Sequence, residues 1–358
     1  MCRLLLATVV SATVLVSTAS GSAAQDVSVA DPAGAGEAYT ENLAFSRDGR
    51  ALREVRRVVL EDADRFWRVR AITYVAATGA ISHELNLQPY TEFFSATTDG
   101  RIAIISVDTD RPEERVNPFL LDTETGRTQK IPSNWFDPDD PRPFVAISGD
   151  GRLVSVFTES GRPGDLLVVT LYDWRTKKLV ATQMSGFFSA GGIFGGGVTK
   201  DGKIEFWNNR VGGNVVDPKT GRLLVSVGPN SHRSLDGAWV VEFPNPMFVD
   251  GPREVIIKNG SSGEVVGKLD LQITDDGMEN WWGRGVFCGT SRRFIAATHD
   301  TVRAFEIPSG KKIADFPSTT WQDPNAMKTD PTVTVACSLS GKRVAIRSGV
   351  RLTLHDLN

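Results

Sequence analysis

Short runs of alternating apolar and polar residues recur along this chain, and an Asp-Gly pair interrupts them at a constant interval. The pairs stand at 48–49, 99–100, 150–151 and 201–202, a spacing of 51 residues three times running. Their contexts agree: "AFSRDGRAL", "SATTDGRIAI", "AISGDGRLVSV" and "GVTKDGKIEF". Each is an extended run, a tight turn and a second extended run, which predicts a β-hairpin. "HRSLDGAWVV" repeats the pattern at Asp236, and "VFCGTSRRFIAA" and "VACSLSGKRVAI" repeat it with Ser291 and Ser340 in the Asp place, making seven hairpins.

A second set of hairpins lies between members of the first. "YVAATGAISH", "LLDTETGRTQK", "LYDWRTKKLV", "VVDPKTGRLLV", "IKNGSSGEVVG" and "FEIPSGKKIA" place Thr or Ser before Gly, with Lys177 in the Gly place once. A polar residue three positions earlier (Asp122, Asp173, Asp217, Asn259, Glu306) can accept backbone N–H bonds and hold each turn. Two hairpins per repeat make a four-stranded antiparallel unit, which cannot bury both faces without neighbours on either side. The expectation is an all-β, seven-bladed β-propeller, with six or eight blades as the main alternatives. There are six second hairpins for seven first ones, because the last unit ends after "RLTLHDLN". The alternating "QDVSVAD" at 25–31 can supply the missing outer strand, so the N-terminal strand is expected to join the C-terminal blade and close the ring.

Those motifs, "SxDGxxL" in the first hairpin and "hhDxxTGK" in the second, resemble the WD-repeat/YVTN-like β-propeller superfamily over essentially the whole mature chain. The resemblance implies an architecture and leaves function open. The Trp-Asp dipeptide is absent, "DWRT" at 173–176 being its nearest approach. "VVDPKTGRLLVSV" also resembles the docking motif of quinoprotein dehydrogenases, with Val225 where that family has Trp.

Residues 1–24 stand apart from this pattern. Arg3 precedes the apolar stretch Leu4 to Val16, which is too short to span a bilayer, and Ser22 and Ala24 occupy small-residue cleavage positions. This reads as a signal peptide cut after Ala24, leaving a single propeller domain over 25–358 and a secreted or periplasmic protein with no integral membrane segment. Its removal takes away one basic residue and leaves 39 basic against 43 acidic, a balance that does not favour nucleic acid.

Chemistry-bearing residues are sparse. Cys288 and Cys337 each precede the Asp-equivalent position by three residues, a slot filled by Phe45, Ala96, Ile147, Val198 and Arg233 in the other repeats. An apolar slot reads as two buried thiols; the alternative is a disulfide, which an oxidising compartment permits. His83, His232, His299 and His355 have no second His or Cys at ligand spacing, and Asp137, Asp139 and Asp140 lack the glycine and distal Glu of a calcium loop. No metal and no cofactor is expected. The glycines at 191–192 and 195–197 could cradle a phosphate only if a helix followed, and a hairpin follows instead.

The aromatic residues are more informative. Connections between repeats carry Trp135, Trp281, Trp282 and Trp321 beside Asp137 and Arg284, and these connections share one rim of a propeller. Such a rim can stack on a sugar or anchor a protein; alternatively the rings plug gaps at blade ends. His232 and Arg233, the latter a charge in an apolar slot, complete the candidate set. The functional expectation is a binding or protein-interaction module whose partner is a protein, a small polar ligand or a glycan. The alternative is an enzyme or enzyme subunit (a lyase, a hydrolase or a dehydrogenase heavy chain) with its site at the central channel mouth.

Overall fold

In a computed structural model the chain is all-β, with twenty-eight strands, one short 3-10 turn at Ser133–Trp135 and no α-helix among the described residues. The structure describes residues 25–357 apart from 29–34, 61–66, 108–116, 138–143, 160–166, 186–194, 199–202, 209–211, 218–222, 228–230, 235, 244–253, 272–283, 290–291, 298–300, 318–332 and 349–350. The expected leader lies outside them, as do Trp281, Trp282 and Trp321.

The strands form four-stranded antiparallel sheets. Six are runs of consecutive strands, over 35–89, 91–130, 144–185, 195–227, 231–269 and 284–317. A terminal sheet combines Val333–Cys337, Arg343–Ser348 and Arg351–Asp356 with the N-terminal strand Gln25–Ser28. That strand pairs antiparallel with the last one, Asp26 opposite Thr353 and Val27 opposite Leu352. Four strands per repeat and the pairing of the two chain ends are as the hairpin pattern predicts.

Successive sheets meet through their first strands. Ala35–Phe45 touches both Thr91–Ala96 and Val333–Cys337, Phe144–Ile147 touches Thr91–Ala96 and Gly195–Val198, and Arg284–Cys288 touches Ser231–Arg233 and Val333–Cys337. The contact succession therefore runs from the fifth sheet through the sixth, terminal, first, second and third to the fourth. The apolar core lies in these junctions. Ile295, Val302 and Ala304 of the sixth sheet pack with Val335, Val344 and Ile346 of the terminal sheet, and Phe45, Leu52 and Ile72 of the first pack with Ala336, Ala345 and Leu352 of the terminal. Burial between sheets follows from two-faced strands that cannot be covered within their own unit.

The first-hairpin turns share one hydrogen-bond pattern. Ser46 Oγ donates to Asp48 Oδ1 at 2.6 Å and accepts from the Ala51 N–H at 2.9 Å, while the Arg50 N–H donates to Asp48 Oδ1 at 3.1 Å. Thr97/Asp99, Ser148/Asp150 and Ser234/Asp236 repeat it. Each carboxylate is followed by a glycine with φ between 65° and 74°, where a side chain would be strained. In the terminal sheet Ser338 and Ser340 keep the geometry without the charge: their hydroxyls lie 3.1 Å apart, and the Arg343 N–H donates to Ser338 Oγ at 3.0 Å. In the second hairpins Asp122, Asp173 and Asn259 accept two backbone N–H groups each, as the sequence pattern implies.

The glycines 195–197 form the first strand of the fourth sheet, pairing with Glu205, Phe206 and Trp207.

Candidate binding site

The two cysteines do not remain buried thiols. Cys288 and Cys337 form a disulfide that joins the sixth sheet to the terminal sheet, with Cα atoms 5.1 Å apart. Both end the first strand of their sheet, and these two first strands are in contact. Equivalent positions thus face each other across a junction, which sequence spacing alone does not reveal.

Two further contacts hold the same junction. Arg293 Nη1 donates to the Gly341 carbonyl at 2.8 Å, tying one hairpin turn to the next. Gly289 lies so close to the Leu339 carbonyl that a Cβ would collide with it, so only glycine permits this approach of the two turns. Above these contacts a cleft of about 850 Å³ opens on the face that carries the hairpin turns.

Five cationic side chains line the cleft (Arg292, Arg293, Lys311, Lys312 and Lys342) against one carboxylate, Glu306. Arg293 is held by the Gly341 carbonyl, and Lys312 pairs with Asp315 at 2.6 Å. Arg292, Lys311 and Lys342 are exposed and make no ion pair among the described residues. Elsewhere on this face two turn arginines are neutralised, Arg101 by Asp122 at 3.4 Å and Arg152 by Asp173 at 3.2 Å. In the terminal turn Ser340 stands where four other described first-hairpin turns carry Asp, so the turn itself places no carboxylate beside Lys342. An otherwise acidic chain thus concentrates positive charge in one notch.

The rim residues singled out from the sequence fall differently. Trp135 is buried at 7% exposure between the second and third sheets, stacked on Tyr172 with centroids 4.0 Å apart and planes 3° apart. Trp174 meets it edge-on, and Lys177 lies over the Trp174 ring. Trp135 therefore plugs a junction and does not present a free ring. Asp137, two residues on, is exposed. Trp281, Trp282 and Trp321 lie outside the described residues, and Arg284 begins the first strand of the sixth sheet. His232 sits edge-on to Phe243 at 5.5 Å and near Phe294 at 5.9 Å. Arg233 turns back on its own hairpin, Nη2 donating to the Gly237 carbonyl at 3.2 Å. Among the described residues of this set, Trp135 with Asp137, His232 with Arg233, and Arg284 belong to different sheets or junctions.

A charged cluster that sequence reasoning missed lies inside the junction of the first and terminal sheets. Glu54 Oε1 accepts from Arg347 Nε at 3.0 Å and from Thr40 Oγ1 at 2.7 Å, and Oε2 accepts from the Tyr74 hydroxyl at 2.7 Å. Glu54, Arg56, Tyr74 and Arg347 are all buried. Burial, and then the Glu54 carboxylate, push the Tyr74 hydroxyl far above its ordinary pKa, so it stays a donor. The run "REVRR" at 53–57 was the available signal, since adjacent charges on a strand point to both faces and one face must be buried.

Among the described residues no group of three His, Cys, Asp or Glu side chains could hold a metal ion, and no helix is long and apolar enough to cross a membrane. No protein-family model matches the chain, and a comparison with curated proteins finds no relative.

Proposed function

We propose that the mature chain is an exported seven-bladed β-propeller of the WD-repeat or YVTN-like kind, acting as a binding or protein-interaction module. Six consecutive four-stranded sheets and a terminal sheet built from both chain ends support the blade count. The contact succession leaves the fourth and fifth sheets as its two ends, and a closed ring sets these side by side. Gln25, the residue that cleavage after Ala24 would expose, is the first residue of the closing strand.

The observation that carries the binding role is the cleft between the sixth and terminal sheets. It is a preformed concavity on rigid elements, with walls fixed by a disulfide, an interturn hydrogen bond and a glycine contact. The partner surface is therefore the turn face at this junction. The opposite rim, where Trp135 is committed to packing, is not the surface this reading favours.

The test is to immobilise residues 25–358 and measure binding of three probes: neutral dextran, poly-lysine and a synthetic peptide of alternating Glu and Leu. Ser340→Trp, which fills the cleft, is expected to abolish whichever binding the wild-type chain shows. Undiminished binding by a folded Ser340→Trp variant would place the partner surface elsewhere.

A further inference from the structure

The charges in the cleft narrow the partner's chemistry. We infer that the cleft takes an acidic polypeptide segment bearing at least one apolar side chain; this rests on the reading of the cleft as the partner surface.

Three observations converge. First, the cations come from three separate hairpins: Arg292 from the turn into Arg293–Ala297, Lys311 from the turn into Lys312–Pro317, and Lys342 from the turn into Arg343–Ser348. Their ammonium and guanidinium groups sit on rigid hairpin turns around one concavity, so an anionic chain can meet all three without reorganising the fold.

Second, the terminal turn lacks a carboxylate that other first-hairpin turns carry. In four described first-hairpin turns an Asp accepts the N–H two residues on, and here Ser340 does so weakly, at 3.4 Å from the Lys342 nitrogen. Serine gives up a better turn acceptor and gains only the removal of a negative charge beside Lys342. Such a loss of local turn quality makes sense where charge matters more than the turn.

Third, the cleft is not purely ionic. Ile313, 37% exposed, lines its wall with buried Leu357, while Glu306 offers an acceptor. A uniformly anionic polymer has nothing to set against Ile313 and is repelled by Glu306. A peptide supplies carboxylates, an apolar side chain and backbone N–H donors together.

The discriminating substitution is Ser340→Asp. It installs the residue that four other turns carry, so the turn is expected to fold at least as well as wild type, which circular dichroism and thermal melting will show. Binding of the alternating Glu–Leu peptide is expected to weaken about tenfold, and Lys342→Gln, which leaves the turn intact, to weaken it similarly. Affinity should also fall steeply between low and high salt, because exposed charges are screened beyond about 8 Å at physiological ionic strength. Dextran sulfate is expected to bind more weakly than the peptide.

Peptide binding that survives both substitutions, or no peptide binding at all, overturns the inference. Tighter binding of dextran sulfate, lost on Ser340→Asp, overturns the peptide class and assigns the cleft to a sulfated glycan. If neutral dextran binds, and only Ser340→Trp blocks it, the charge argument fails while the cleft stands as the partner surface.

Discussion

Arg347 donates from Nε to Glu54 Oε1 across 3.0 Å, although 293 residues separate them and neither side chain is exposed to solvent. The contact joins the terminal sheet to the first, where the two ends of the chain are brought together. Thr40 and Tyr74 also donate to the same carboxylate. Removing one partner of such a pair strands a buried charge, whereas removing both relieves the desolvation cost. Glu54→Leu and Arg347→Met are each expected to cost about 3–5 kcal/mol. The double variant is expected to lose clearly less than the sum. Urea unfolding of the four proteins measures this; strict additivity would mean the two side chains are not coupled.

The disulfide locks the neighbouring junction. Cys288 and Cys337 close a loop across a sequence separation of 49, and removing a link of this kind costs about 2–4 kcal/mol. The Cys288→Ser/Cys337→Ser variant is expected to unfold at lower denaturant than wild type, and reductant to bring wild type down to the same midpoint. A variant as stable as the oxidised protein would remove the disulfide from the account.

Lys177 takes a backbone conformation that other second-hairpin turns reserve for glycine. Its φ is 58°, against 68°, 69°, 73° and 69° at Gly79, Gly126, Gly263 and Gly310. The left-handed conformation costs a side chain roughly 1–2 kcal/mol, and an ammonium over the half-buried Trp174 indole returns about 0.5–1 kcal/mol. Lys177→Ala keeps the strain and loses the ring contact, so it is expected to destabilise by about 0.5–1 kcal/mol. Lys177→Gly removes both and is expected to be neutral or slightly stabilising. Paired thermal melts of the two variants decide it.

Acid stability should come from the turns. The Thr176 N–H, with the Arg152 guanidinium, holds the Asp173 carboxyl down to about 2, and the Ser46 hydroxyl and Arg50 N–H lower Asp48 in the same sense. Because the folded state binds these protons less readily than the unfolded chain, their stabilisation is full above the ordinary value of 3.8 and disappears as pH falls towards about 2. His355 acts at higher pH. Burial lowers its pKa, so stability is expected to decline as pH falls below the ordinary 6.5 and through the lowered value. Melting temperature against pH is expected to lose part of its acid limb in Asp173→Asn and to flatten below 6.5 in His355→Leu. Profiles unchanged from wild type would contradict these assignments.

The repeat was legible because it lives in turn chemistry. Asp-Gly and Thr-Gly impose φ > 0 and a carboxylate acceptor at fixed places, so the hairpins, their number per unit and the pairing of the chain ends could be read from residues alone. What remained hidden depends on which strands abut. Cys288 and Cys337 occupy the same position in successive repeats, and only the contact of their neighbouring first strands turns that equivalence into a bond. Glu54 and Arg347 belong to different repeats with no shared motif, so nothing local announces their pairing. Trp135 showed the opposite failure: a ring on a connection beside carboxylates resembles a binding residue until its stacking on Tyr172 is seen. The cleft was not read from the sequence: Ser340 breaks the Asp pattern, but its meaning required the cations of three hairpins to be placed around it.

The most direct test of the binding role is to titrate isotope-labelled residues 25–358 with the alternating Glu–Leu peptide and follow backbone amide shifts. Perturbations are expected to centre on Arg292, Arg293, Lys311 and Ser340 to Lys342, and to need about tenfold more peptide in Ser340→Asp. Perturbations centred instead on Trp135 and Asp137, or on the sequence connections carrying Trp281, Trp282 and Trp321, would contradict this expectation.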